Sequence, residues 1–305
     1  MENRIHGVGS AVEDEILVLP HTPTVDNKTT AEAYRREVGG PVHTALLYLH
    51  RLGWEVRLTA AIGSDNKAAF IEDQMSKEGF DTRFLVRQQE KDSGFAHIWI
   101  DQPTGDRTIA STRGTLEPLT VDDITDDFFD GVDLLHIDGS EPQAALYAAQ
   151  RAREQGITVT YDAGIYKQGS EELLRVVDVV QAPLEFARVA AGIEDLQEAA
   201  DYIRTFGPRI AVVTDGERGF AYSSEEGTFY QESFHVESVI DTAGAGDVFA
   251  GGLIHGILSN MSLPDAVTFA SASAAMKCMS LGKQSLPTEE EVNRFIQSYS
   301  LGITS

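Results

Sequence analysis

Apolar residues recur along this chain in two rhythms: short runs with the period of a strand, and longer stripes with the period of a helix. Positions 5–12 form a short apolar run that opens into Gly9-Ser10. Positions 41–52 carry Val42, Ala45, Leu46, Leu49 and Leu52 on one helical stripe, with Pro41 suited to the first turn and Gly53 to the stop. Val56, Leu58 and Ala60 then alternate as a strand. Further strand-like runs fall at 132–137, 157–161, 176–180 and 210–214. Helix-like segments separate them, among them 142–155, stopped by Gly156, and 195–206, stopped by Gly207. This order predicts an α/β fold whose mostly parallel central sheet is flanked by helices on both faces, with ligands at the carboxyl ends of the strands.

Two segments break the rhythm. Positions 16–38 are polar and irregular after a brief apolar start, and 94–111 alternate around Asp101-Gln102-Pro103-Thr104-Gly105, a turn between two strand-like halves. Both suit a small β-sheet projecting from the main one as a lid or a dimer contact. Its segments span about 14–38 and 93–113, inserted in one domain of 1–305. The chain then returns to helices at 264–279 and 288–299, the second opened by a capping box of Thr288 and Glu291.

Charge narrows the partners. With 48 acidic and 24 basic side chains the formal net charge is −24, a surface that repels nucleic acid and anionic membrane, so neither is expected as a partner. The longest apolar run, 248–258, is interrupted by Gly251, Gly252 and His255 and is too short to span a bilayer. Glu2 and Arg4, with no apolar stretch behind them, do not read as a signal peptide. The single cysteine, Cys278, fits a reduced cytoplasm. The acids Asp122, Asp123, Asp126, Asp127 and Asp130 are spaced as a solvated helix face rather than a metal site. His136, in a strand-like run, reads as a core residue, and no histidine or cysteine spacing makes a zinc site.

The usual nucleotide fingerprints fail. Gly282-Lys283 is followed by Gln284 instead of Ser or Thr, Gly7-Val8-Gly9 lacks a third glycine, and no Gly-x-Ser-x-Gly elbow occurs. What remains is Asp241-Thr242-Ala243-Gly244-Ala245-Gly246-Asp247, followed by a helix-competent run. Small residues there let backbone amides crowd around an anion at a helix start. Asp247 sets a carboxylate beside that anion hole, where it can take a proton from an attacking hydroxyl. A phosphate cradle with an adjoining base is the minimal equipment for phosphoryl transfer to an alcohol. The alternative is a Gly-rich turn with Asp247 as an ordinary first-turn acid.

With these pieces in view, the chain resembles the PfkB (ribokinase-like) family of carbohydrate kinases over about 5–295. The 241–249 stretch looks like that family's C-terminal signature. Gly39-Gly40-Pro41, a helix, Leu52-Gly53 and Ala61-Ile62-Gly63-Ser64-Asp65 resemble the N-terminal one, and Gly9 precedes Asp14 as in the sugar-binding first strand.

The resemblance implies a three-layer ribokinase-like fold and an ATP-dependent kinase acting on a hydroxymethyl group of a small sugar. Asp247 would be the base, and the amides of Gly244, Ala245 and Gly246 the anion hole. Asp14, Asp26, Gly39, Gly40, Thr44 and Arg113 would face the sugar, although Asp26 reads equally as a solvated loop acid and Arg113 as a surface arginine. Thr214, Gly216, Thr242 and Ser271 would face the nucleotide. Mg²⁺ is expected with ATP, organised by Glu185 through water. Asp241, Ala243, Gly282 and Ser285 would hold a monovalent cation such as K⁺.

Departures from the family pattern stand at Thr44 and Ala182, both Asn in the family; the first puts ribose as the substrate in doubt, and the second implies an altered metal shell. A nucleoside kinase of the same fold, or a non-catalytic sugar- or nucleotide-binding regulator, is the alternative. A homodimer through the lid would cover exposed strand edges.

Overall fold

The computed structural model describes residues 4–26 and 28–302; Glu2 of the N-terminal reading and position 27 of the first lid segment lie outside them. The chain opens with β1 (Arg4–Val8), then leaves the main sheet for the antiparallel pair β2 (Val12–Leu19) and β3 (Ala33–Gly39). It returns through α1 (Pro41–Arg51) and β4 (Glu55–Ile62), followed by α2 (Asn66–Lys77) and the short β5 (Leu85–Arg87). A hairpin of β6 (Phe95–Asp101) and β7 (Arg107–Thr112) rejoins the outer pair.

Strands and helices then alternate: β8 (Val132–Asp138), α3 (Pro142–Glu154), β9 (Thr158–Asp162), α4 (Ser170–Leu174) and β10 (Val179–Pro183). Two helices, α5 (Leu184–Ala191) and α6 (Leu196–Arg204), lead to β11 (Ile210–Thr214). After β12 (Phe220–Ser224) and β13 (Gly227–Gln231) come α7 (Ala245–Leu258), α8 (Leu263–Cys278) and α9 (Glu289–Ser300).

The main sheet has nine strands in the order β13-β12-β11-β10-β9-β8-β1-β4-β5. Pairing is parallel from β11 across to β5, and only β12 runs against the others, pairing antiparallel with both β11 and β13. Strands covered on both faces read as near-continuous apolar runs, and β8 buries six of its seven residues. The sheet grows from β1 through β4 to β5 on one side and then from β8 outward on the other, so the strand order reverses between β1 and β8. The carboxyl ends of strands at such a reversal are the place where open α/β sheets hold ligands.

The second sheet, ordered β3-β2-β6-β7, is the projecting layer. Its inner face carries Ile16, Ala96, Ile98 and Ile100, packed against Ala243 and Leu281 of the loops that flank α7 and α8. The small sheet is thus clamped onto the segment that precedes α7.

Several sequence expectations need correction. The segment at 16–38 is irregular only in part: the described residues of 20–32 have neither helix nor strand, but β2 and β3 on either side pair from Val12↔Gly39 to Val18↔Ala33. Polar residues on both strands hid the pattern, because Glu13 is buried beside Arg36, with N–O distances of 2.7 Å, instead of facing water. The acidic cluster does not lie on a helix face. It forms two short 3₁₀ turns at 121–123 and 126–129, and Phe128 and Phe129 are buried beneath the second. The strand read at 176–180 lies at Val179–Pro183, since Asp178 instead accepts the Val159 N–H at 2.8 Å. The Thr288–Glu291 capping box is present.

Candidate active site

α7 begins where the backbone turns left-handed at Gly244, with φ of 78°, a conformation glycine adopts without cost. At a helix start the amide N–H groups have no carbonyl one turn back to bond. The N–H of Ala245 closes a turn onto Thr242 O at 3.3 Å, so of the three amides read as an anion hole it is the one already engaged. A Cβ added to Gly246 would meet nothing within 4 Å, so there is free space beside this residue. Asp247 flanks it: its Oδ2 lies 3.8 Å from where a Gly244 Cβ would stand, with the Thr44 methyl at 3.4 Å on the other side. The starts of α1 and α7 therefore meet at one point.

A second wall is built from β2, β3 and the turn after them. A Cβ on Gly39 would fall 2.1 to 2.2 Å from the Asp14 carboxyl atoms. Gly40, at φ 113°, would drive one into Ser10 O at 2.1 Å. Only glycine lets these segments approach so closely. Lys283 reaches in from the loop after α8. Its Nζ lies 3.2 Å from Asp14 Oδ2, and its N–H donates to both Glu37 oxygens at 3.1 and 3.3 Å. Burial works against the lysine's charge, but Asp14 and Glu37 outweigh it and hold the ammonium above its usual range.

Three carboxyl groups crowd the floor. Asp138 and Asp162 end the neighbouring strands β8 and β9 in direct register. Burial raises the proton affinity of each, and for Asp162 the charges of Asp247 and Asp138 add to it. One oxygen of Asp138 accepts the Ser140 N–H at 2.7 Å, while the other, buried, has no hydrogen-bond partner. Burial also pushes Asp247 up, to about 6; Lys283 and Arg107 pull it down, and Asp138 and Asp14 push it further. Desolvation dominates, and the two cations keep the carboxyl within reach of neutral pH.

The β6–β7 hairpin bonds to the same loop. Arg107 donates to Thr242 O at 3.2 Å and Thr242 Oγ1 at 3.1 Å, while Thr242 Oγ1 donates to Gly105 O at 3.2 Å. Thr242 is therefore engaged with the hairpin tip. Thr214 and Gly216 stay together in the β11–β12 connection, where Gly216 O accepts from Ser233 Oγ at 2.7 Å. Ser271 is buried within α8.

Other expected residues do not converge here. Asp26 occupies an exposed turn with φ 61° between β2 and β3. The Arg113 guanidinium is tied to Leu116 O, Ser140 O, Glu117 O and the buried Glu141 carboxylate, which fixes it as a brace. Glu185 is exposed and ion-paired with Arg188, which also holds Glu194 at 2.9 Å. Among the described residues no group of three or more His, Cys, Asp or Glu side chains is placed to hold a metal ion.

The monovalent-cation reading also changes. Asp241 O and Oδ2 are taken by the ammonium of Lys277, Gly282 offers Asp241 its N–H, and Ser285 is exposed. Ala243 donates its N–H to Asp241 Oδ1 at 2.8 Å.

Sequence reasoning missed Glu37, Arg107, Asp138, Asp162, Lys277 and Lys283. Asp138 and Asp162 had a signal, since each closes an apolar run at the carboxyl edge of a parallel sheet. The others depend on contacts between segments far apart in the chain.

Comparison with known proteins agrees with this geometry. The profile of the pfkB family carbohydrate kinases matches residues 8–290. An ATP-dependent ribose-1-phosphate kinase from Halopiger xanaduensis is 26% identical, covering 96% of this chain and 98% of its own length. A ribokinase from Haemophilus influenzae is 25% identical, covering 97% and 99%. In structure, a protein from Agrobacterium tumefaciens superposes with a TM-score of 0.89 at 23% identity over 99% of each chain. An Arabidopsis thaliana ribokinase complexed with ribose and ATP gives 0.81 at 19% identity over 97% and 99%. With a family profile spanning nearly its whole length and the signature turn at the start of α7, the chain belongs to the pfkB family of carbohydrate kinases.

Proposed function

We propose that this chain transfers the γ-phosphoryl group of ATP to a hydroxymethyl group of a small sugar, with Asp247 as the base. The observation that carries the reading is the Asp247 carboxyl in the first turn of α7, beside the free space at Gly246 and across from Thr44, where burial pushes it up to about 6. Such a group is ionised at neutral pH yet basic enough to take a proton as an alcohol attacks. The attack runs in line on the γ-phosphorus. Charge on the transferring group is met by the N–H groups of Gly244 and Gly246 and by the positive end of α7.

Asp14 would accept sugar hydroxyls in the space left by Gly39 and Gly40, with Lys283 holding its carboxylate in place. Thr44 offers a shorter reach than the family's Asn, and the acceptor named for the Halopiger relative already carries a phosphate. The acceptor therefore ranges beyond free ribose. Mg²⁺ would arrive on the nucleotide, whose phosphates it neutralises. The small sheet acts as a lid of the one domain, excluding water so that hydrolysis does not compete. Its outer strand β7 is exposed along its whole length, and pairing with a second copy in the cytoplasm would cover that edge.

A coupled ADP-release screen over pentoses, hexoses, keto-acids, sugar phosphates and nucleosides tests the reading. Turnover on at least one sugar or sugar phosphate is expected. Tight nucleotide binding without ADP release from any acceptor would favour a regulator instead, and turnover on nucleosides alone would move the assignment to a nucleoside kinase.

A further inference from the structure

Lys277 stands in the last turn of α8, and neither its side chain nor that of its partner Asp241 reaches solvent. A buried ammonium is costly unless its hydrogen bonds are made. Here both acceptors come from one residue: Nζ lies 2.8 Å from Asp241 O and 2.9 Å from Asp241 Oδ2. A main-chain carbonyl and a carboxylate oxygen converging on one positive charge make the kind of oxygen set that holds hard cations.

The same aspartate organises two loops. Its Oδ1 accepts the Ala243 N–H at 2.8 Å, and its Oδ2 accepts the Gly282 N–H at 2.9 Å. From α8, Cys278 O accepts the N–H groups of Ile240 and Asp241 at 2.8 and 3.2 Å. The segment at 232–244 has neither helix nor strand. These bonds, with those of the lid hairpin, therefore set the direction in which Gly244 and Gly246 present their N–H groups. Without the ammonium, the Asp241 carboxylate would be buried with its charge uncompensated, and the loop would lose the group that draws its carbonyl inward. Lys277 is also felt across the site, where its charge works against the burial that raises Glu37.

We infer that Lys277 is a positioning residue: a tethered cation that occupies the oxygen pair of Asp241, holds the 241–247 turn in its anion-binding form and leaves no place there for a free monovalent ion. The protein then needs no K⁺. Removing the side chain creates a cavity that a small cation can fill. The turnover readout rests on the kinase reading; the melting readout does not.

The experiment compares wild type, Lys277→Ala and Lys277→Met in K⁺, NH₄⁺ and tetramethylammonium chlorides at constant ionic strength. Wild type should show the same melting temperature and, on the acceptor found by the screen, the same rate within about twofold in all three salts, since a filled site gains nothing by mass action. Lys277→Ala should lose about a hundredfold or more in kcat/KM. It should recover about tenfold, saturably, in K⁺ or NH₄⁺, and its melting temperature should rise in parallel. Lys277→Met fills the space without charge and should not be rescued.

Strong activation or stabilisation of wild type by K⁺ over tetramethylammonium would overturn the inference, and this holds even if neither variant folds. So would a folded Lys277→Ala with full activity, or one whose melting temperature ignores all three ions. If wild type turns over no acceptor, the kinase reading fails alone, and the melting temperatures still decide this one.

Discussion

Asp247 shows how surroundings retune one side chain. Burial raises its proton affinity, Lys283 and Arg107 lower it, and the balance sits at about 6 instead of the ordinary 3.8. A carboxyl that titrates higher in the folded than in the unfolded chain binds its proton more tightly when folded. Folding therefore takes up a proton between those two values, and the ionised group costs stability above about pH 6. Asp247→Asn, neutral at every pH and nearly the same size, should melt higher than wild type at about pH 8. The gain should shrink as the pH falls through about 6 and vanish near 4, which thermal denaturation across that range would show. An Asn variant that melts lower at alkaline pH would mean that the ionised carboxylate stabilises the fold.

At the scale of elements, the site is a meeting of helix starts and strand ends. The turn from β3 into α1 brings Gly39 and Gly40 against Asp14 and Ser10, with no room for a Cβ. Gly39→Ala should push the Asp14 carboxylate out of place and raise the acceptor KM by about tenfold or more while leaving the nucleotide KM nearly unchanged. Equal changes in both would show that the turn does not belong to the acceptor side.

Much of this scale was legible in the sequence. Apolar period and Pro/Gly punctuation located α1, α3, β8, β9 and β11 within a few residues, and the small residues at 243–246 marked the start of α7. What was not legible arises where distant segments meet. Lys283 lies 269 positions from Asp14, and no local pattern shows that the two touch. β2 and β3 were obscured because Glu13 and Glu37 are buried acids, each held by a cation or N–H group from elsewhere. Arg113 read equally as a substrate contact or a surface arginine in sequence; its donors meet Leu116 O and Glu117 O of its own loop and Ser140 O and the Glu141 carboxylate beyond it.

For the whole molecule, charge is the dominant fact. A net −24 spread over one compact chain is self-repulsive, and the few cations at the site stand against that background. Salt screens such repulsion over about 10 Å at 0.1 M. Raising NaCl from about 0.05 to about 0.5 M should therefore increase the melting temperature by a few degrees. A flat or falling curve would show that the surface ion pairs, which salt weakens, outweigh the repulsion.

The most direct test of the account is the kcat/KM of wild type and Asp247→Asn on the best acceptor, followed across pH, with nucleotide affinity measured alongside. The account predicts a wild-type rate that falls below about pH 6 as the base is protonated. For the Asn variant it predicts a loss of about a hundredfold or more, with nucleotide binding intact. A folded Asn variant with wild-type turnover, or a wild-type rate that stays level well below pH 6, would contradict it.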